Sequence, residues 1–402
     1  MLLQNQIAEV IEAQQRIFRT KEIGLEREML RHIPNFENHV LIVSGIRRCG
    51  KSTLLRQLFS RTYKNAVYLN FEDVRLSGFD IDDFSRLSKI IDEKRVKTLF
   101  FDEIQVVRNW ELFVRQKLEE QYRIIITGSN ASLLSRELGT KLTGRHISIE
   151  LFPFSFKEFN AFLNTDDYKK TIDEYLTKGG FPEVIKRKEN QLLNQLLTDI
   201  LQRDVAVRYN IRDITRLRQL AVYLISNIGK PFSGKKLTES FELKSNSTTL
   251  EYISHMEQAY LIQLVPRFSY SLKTQARNPK KVYTIDIGLF SQNSIVFSDE
   301  NGRRLENIVY LHLRRKYEQI YYFKEKGECD FVTIKNGKAE ELAQVCWEVN
   351  DINQKREING LLEAMEYFQK DYGTIITYNQ LDKIAIKNKT IEFIPVHKYL
   401  SE

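Results

Sequence analysis

The string Gly45-Ile-Arg-Arg-Cys-Gly-Lys-Ser52 constrains this chain more than any other feature, because it joins an apolar run, Val40-Leu-Ile-Val, to a helical stretch, Thr53–Phe59. Its pattern is G-x-x-x-x-G-K-[ST]. Glycines at these positions let the backbone wrap closely around a phosphate, and the helix that follows adds positive potential at its N-terminus. A strand, a tight loop and a helix in that order belong to an α/β domain with a parallel sheet. The phosphate contacts are expected from Gly45, Cys49, Gly50, Lys51, Ser52 and Thr53. Lys51 would bridge the β- and γ-phosphates, and the Ser52 hydroxyl would ligate Mg²⁺.

A second apolar run, Lys97-Thr-Leu-Phe-Phe, ends in Asp102-Glu103 and delivers two adjacent carboxylates to a sheet edge. Asp102 suits the Mg²⁺ shell and Glu103 suits the base that polarises an attacking water. A third run, Arg123-Ile-Ile-Ile-Thr, ends in Gly-Ser129-Asn130. Asn130, and after it Ser129, is the candidate to orient that water. Arg136 and Arg145 are candidates for a guanidinium that stabilises phosphate charge, since a guanidinium can grip phosphate oxygens bidentately. The ligands this set implies are ATP and Mg²⁺.

At 402 residues the chain is too long for one core. β-rich runs at 40–44, 66–71, 97–101, 123–127 and 146–151 alternate with helical stretches, after two helices expected at the N-terminus, the second from Leu25 to Ile33. Beyond Leu151-Phe-Pro-Phe-Ser-Phe the pattern turns helical. Three helices, near 217–228, 235–241 and 248–259, then precede two β-runs joined by a loop with Lys273, Arg277, Lys280 and Lys281, which describes a winged helix. The last hundred residues are again mixed α/β. The domains are drawn at 1–156, 157–285 and 286–402.

A net charge of +8 is modest over this length, so it leaves open whether the winged-helix region meets double-stranded DNA or a protein partner. Lys244-Ser-Asn-Ser-Thr-Thr suits phosphates and base edges but equally suits ordinary helix capping. The clustered Phe152, Phe154, Phe156 and Phe159 read as packing residues. The three cysteines and six histidines lack metal-binding spacing, so no metal other than Mg²⁺ is expected. No apolar run is long enough for a membrane span and no basic leader precedes an apolar core, so the expectation is a cytoplasmic chain without membrane contact.

With Ser44-Gly-Ile-Arg-Arg-Cys-Gly-Lys-Ser-Thr-Leu-Leu, Phe101-Asp-Glu-Ile-Gln, Thr127-Gly-Ser-Asn, Gly179-Gly-Phe-Pro-Glu and Asp199-Ile-Leu-Gln-Arg-Asp-Val in hand, the chain resembles AAA-type prokaryotic P-loop ATPases. Those proteins carry a C-terminal domain of unknown function related to the PD-(D/E)xK nucleases. The resemblance implies an AAA-like core with strand order 5-1-4-3-2, a helical and winged-helix middle, a nuclease-like α/β domain, and homo-oligomers in which an arginine completes a neighbour's site. In the nuclease pattern Glu306 and Asp330 match the acidic positions, whereas Gln344 and Cys346 stand where a carboxylate and a lysine belong. The resemblance therefore implies a C-terminal domain that is a binding surface or remnant before it is a nuclease.

Overall fold

The computed structural model describes residues 2–63, 65–130, 142, 144–295 and 300–402. The chain divides into two compact units, Met1–Phe152 with Gln258–Tyr260, and Pro153–Glu257 with Leu261–Glu402.

The first unit is built on strands β1 (Val40–Ser44), β2 (Val67–Asn70), β3 (Thr98–Asp102), β4 (Arg123–Gly128) and β5 (His146–Glu150). Their order across the sheet is β2-β3-β4-β1-β5 and every pairing is parallel. This is the order 5-1-4-3-2 read from the other edge. β1 and β3 are buried along their whole length, as an unbroken apolar run in a parallel sheet covered on both faces requires. Helices α1 (Gln4–Thr20), α2 (Lys51–Arg61), α3 (Asp83–Glu93) and α4 (Trp110–Glu119) cover it. α3 shows why: Phe84, Leu87, Ile90 and Ile91 recur at helical spacing and are buried.

The second N-terminal helix is absent, and Glu28–His32 forms a single 3₁₀ turn. The Gln57 side-chain amide on α2 donates to the carbonyls of Ile23 (3.1 Å) and Leu25 (2.5 Å), and its oxygen accepts from Arg27 N. Those bonds hold the backbone of 23–27 away from the helical pairing that periodicity favours.

The second unit opens with α5 (Phe156–Leu163), whose start is fixed by a capping box in which Ser155 and Glu158 exchange bonds of 3.0 Å. The four clustered phenylalanines are buried. Further on, α6 (Ile214–Ser226), α7 (Gly234–Ser240) and α8 (Asn246–Gln258) lead into a three-stranded antiparallel sheet, β6 (Pro231–Phe232), β8 (Lys280–Thr284) and β7 (Ile262–Pro266).

Then α9 (Asn301–Lys316) leads to a six-stranded mixed sheet of β9 (Gln319–Lys324), β10 (Glu328–Lys335), β11 (Lys338–Val345), β12 (Tyr372–Thr377), β13 (Asp382–Ile386) and β14 (Lys389–Pro395). α10 (Gln354–Tyr367) packs on it. β13 lies at one edge of this sheet. No helix among the described residues is long and apolar enough to cross a membrane.

Candidate active site

The loop after β1 returns to the sheet at Gly45, where any Cβ would sit 2.1 Å from the Leu151 carbonyl oxygen. Gly50 has φ +105° and opens α2. Between these glycines the Lys51 ammonium, buried, donates to the carbonyls of Gly45 (2.9 Å) and Ile46 (3.1 Å) and lies 3.8 Å from Glu103 Oε1. Cys49 is buried and its thiol is pushed up, chiefly by that burial, so it stays neutral.

Ser52 is the next residue on α2, and its hydroxyl donates to Asp102 Oδ2 at 2.8 Å. The loop and the end of β3 therefore meet through these two side chains. Asp102 is 1% exposed and accepts two further hydroxyl bonds, from Tyr68 to Oδ2 (2.9 Å) and from Thr127 to Oδ1. Burial, then the charge of Glu103, raises its carboxyl, and the three hydroxyls pull the other way. Hydroxyl and carboxylate oxygens are the donors a hard cation such as Mg²⁺ takes, and a dication beside Asp102 would stabilise the charge that burial disfavours. The residues fit the ion.

Glu103 stands in the left-handed region at φ +53°. Its backbone N–H donates to Thr127 Oγ1 (3.2 Å), so that single hydroxyl holds both Asp102 and the Glu103 backbone. Oε2 of Glu103 accepts from Gln105 Nε2 (2.5 Å) and from Ser129 N (3.3 Å), while Oε1 faces Lys51. Asn130 is fully buried at the end of β4, and Ser129 is 2% exposed. Thr53 is half-buried on α2. Arg145 lies elsewhere on the surface, 3.3 Å from Glu119 of α4. Arg136 lies outside the described residues.

Three residues of this site carried no role in the sequence reading. Thr127 and Tyr68 flank Asp102 because β4 and β2 are the two neighbours of β3, so sheet order was the signal that pointed to them. Arg27 had no signal. Its buried guanidinium donates to the Cys49 carbonyl (2.8 Å) in the loop and to the Phe152 carbonyl (2.7 Å), bracing the loop from beneath.

In the second unit Lys281 is not a loop cation but a buried residue of β8, 3% exposed. Its ammonium lies 2.8 Å from Asp330 Oδ1, 2.9 Å from Glu328 Oε1 and 3.3 Å from Glu306 Oε1. Tyr283, two residues on, donates to Glu306 at 2.6 Å. The ammonium among these carboxylates comes from β8, not from the strand that carries Gln344. Gln344 itself accepts from Asp330 N (3.1 Å) and donates to Glu357 (2.6 Å), while the Cys346 thiol points to the Glu348 carbonyl.

Comparison with known proteins gives a match to an AAA domain over residues 37–160 and to a domain of unknown function, DUF8612, over residues 169–299. The chain is 37% identical over 394 residues to the uncharacterized protein MJ1544 of Methanocaldococcus jannaschii, covering 90% of this chain and 88% of that protein. It is 31% identical over 370 residues to an uncharacterized protein of Haemophilus influenzae, with 85% and 90% covered. Among solved structures it is similar to Cdc6p from Pyrobaculum aerophilum, at 12% identity, TM-score 0.26, and 69% and 88% coverage.

Proposed function

This chain belongs to the same family as MJ1544 and contains an AAA-type P-loop ATPase domain; from that premise we propose that it binds Mg-ATP on the loop 45–53 and hydrolyses it to drive a conformational switch. One observation carries the reading: Ser52 Oγ lies 2.8 Å from Asp102 Oδ2 while Glu103 faces Lys51 at 3.8 Å. Phosphate-binding loop and acidic strand end are brought to one point.

Lys51, held at the centre of the loop by two carbonyls, presents its charge to the β- and γ-phosphates. Ser52 and Asp102 would hold Mg²⁺, which when bound neutralises phosphate charge. Glu103 takes the proton of the attacking water; Gln105 and Ser129 N–H fix one of its oxygens and so orient the other. Asn130 orients the same water. Arg145, on the surface beside Glu119, is the candidate to reach phosphate oxygens of a neighbouring copy in a homo-oligomer.

The test is turnover of Glu103→Gln and Lys51→Ala. Glu103→Gln should bind ATP within a few-fold of wild type and turn over at least ~10²-fold more slowly, the usual contribution of a general base. Lys51→Ala should lose binding. Retained turnover in Glu103→Gln moves the base elsewhere.

A metal-dependent nuclease in the second unit is the reading we do not adopt. The Lys281 ammonium occupies the space between Glu306 and Asp330 that a divalent cation would need. DNA cleavage that requires Mg²⁺ and vanishes in Asp330→Ala would reverse that choice.

A further inference from the structure

The cations of the β6–β8 module divide into two groups. Arg216 pairs with Asp213 (3.5 Å) and Glu242 (3.4 Å), Arg267 with Glu325 (3.0 Å), and Lys281 with three carboxylates. Lys235 and Lys236 on α7, Lys244 before α8, Lys273 and Arg277 in the β7–β8 connection, and Lys280 at the start of β8 make no ion pair among the described residues. All but the half-buried Lys280 are exposed. Lys280 acts on the buried Glu257, opposing the rise that burial imposes on that carboxyl, and the remaining positive charge here has no paired carboxylate, at a cost in self-repulsion that an anionic partner removes.

Three of these cations rim a cleft. Lys235, Arg277 and Lys280 line a cavity of about 540 Å³ together with Asn246, Leu250 and Ser254 of α8. Gly234 makes the crossing of α7 on α8 tight, since a Cβ there would meet Asn246 Oδ1 at 2.6 Å. α8 presents exposed Asn246, Ser247 and Leu250 on its open side, with Leu250 46% exposed. Its acidic residues bear on the mode of contact: Glu257 lines the cleft and Glu251 lies exposed on α8, which carries no lysine or arginine, so the attraction for an anionic partner comes from the cations beside the helix and not from the helix itself.

Charge at the rim with amide, hydroxyl and apolar groups on the helix is the distribution that a duplex demands. Its phosphates run along the two edges of a groove, and its base edges and thymine methyls lie between them. A helix of 13 residues is about 20 Å long and 10–12 Å across, which matches the ~12 Å width of the B-form major groove. The A-form major groove is too narrow to admit it.

We propose that this cleft binds double-stranded DNA, with α8 in the major groove and Lys235, Arg277 and Lys280 on the flanking phosphates. The assignment rests on no step of ATP chemistry, so it stands or falls apart from the proposal for the first unit.

The test is fluorescence anisotropy of a labelled 20-base-pair DNA duplex, against RNA duplex of the same sequence, with full-length protein and no nucleotide, over a range of salt. Wild type should bind DNA, with affinity falling steeply with salt. The variant K235A/R277A/K280A should lower the log–log salt slope by about 2.7, at about 0.9 for each phosphate that is no longer neutralised. It should bind at least about tenfold more weakly near 0.1 M salt while keeping its melting temperature and ATP turnover. The separate variant N246A/L250A should weaken DNA binding with the salt slope unchanged. Three results would each overturn the proposal: no DNA binding by wild type, which would make the face a protein contact; equal affinity for RNA duplex; or a salt slope untouched by the triple substitution.

Discussion

Replacing Tyr68 by Phe isolates one interaction at the Asp102 carboxylate. The phenyl ring keeps its stacking on Phe18, where centroids are 3.7 Å apart and planes 16° apart, so only the hydroxyl that donates to Oδ2 is removed. A hydrogen bond to a charged group contributes about 1.5–3 kcal/mol. Ser52 shares the same oxygen and relaxes onto it, which places the loss just under that range, at about 1.4 kcal/mol. That energy is one pKa unit or a factor of ten in cation affinity. Burial already raises Asp102, and losing a donor to its ionised form raises it further. Steady-state phosphate release measured against Mg²⁺ and against pH should therefore show a Mg²⁺ midpoint roughly tenfold higher. The acidic limb should move up by about one unit, with the KM for ATP little changed at saturating Mg²⁺. A melting curve guards against a folding defect. A variant that loses turnover equally at every pH and Mg²⁺ concentration would refute the argument, because Tyr68 would then act on something other than the charge of Asp102.

Two further predictions concern stability of the second unit. His312 is pushed down to about 3 by burial and by Lys316, Arg315 and Lys157, and its Nε2 finds no hydrogen-bond partner among the described residues. Its folded value is depressed, so the stability it contributes is complete above its ordinary 6.5 and drains away as pH falls towards 3. At about 1.4 kcal/mol per unit the bound is ~5 kcal/mol, and urea midpoints between pH 7 and 4 should fall less in His312→Phe than in wild type. Lys281→Met leaves Glu306 and Asp330 without their cation, Glu328 keeping Lys324, and should cost about 3–5 kcal/mol in chemical denaturation, as breaking a buried pair does. Adding Glu306→Gln and Asp330→Asn to Lys281→Met should restore part of it; a milder single variant without recovery in the triple one would contradict the electrostatic account.

What the sequence made legible was whatever depends on a short run of neighbours. The strand–loop–helix around Gly45–Ser52 and the strand ending in Asp102-Glu103 are local patterns, and the structure joins them at 2.8 Å through Ser52 and Asp102. The loss of the helix expected from Leu25 was illegible because Gln57, some thirty residues away, holds the backbone of 23–27 that leads into the 3₁₀ turn. Arg27 was hidden for the same reason: two carbonyls far apart in sequence define its place, and a carbonyl has no side-chain signature. Tyr68 and Thr127 lie between these cases. Once sheet order is granted they are the neighbours of Asp102, and the order came from resemblance, not from periodicity.

Lys281 shows what such a reading needs in addition. Beside Arg277 and Lys280 it looks like one more cation of a basic loop, yet strand alternation puts it on the face of Tyr283 and puts Lys280 on the face of Val282. Tyr283 is fully buried, so the partner of that face is the interior, and a buried ammonium must be paired. Alternation alone does not separate Lys281 from Lys280, because Val282 on the other face is buried as well; the burial of Lys281 itself does. It cannot say that the pairing carboxylates come from α9 and β10, and a search for a lysine at fixed spacing from Asp330 cannot find one delivered by β8. Burial likewise takes Lys281 out of the cations open to a partner near the cleft and leaves Lys235, Lys236, Lys244, Lys273, Arg277 and the half-buried Lys280. A DNA surface argued from all the basic residues of the region would have counted one that holds the fold together.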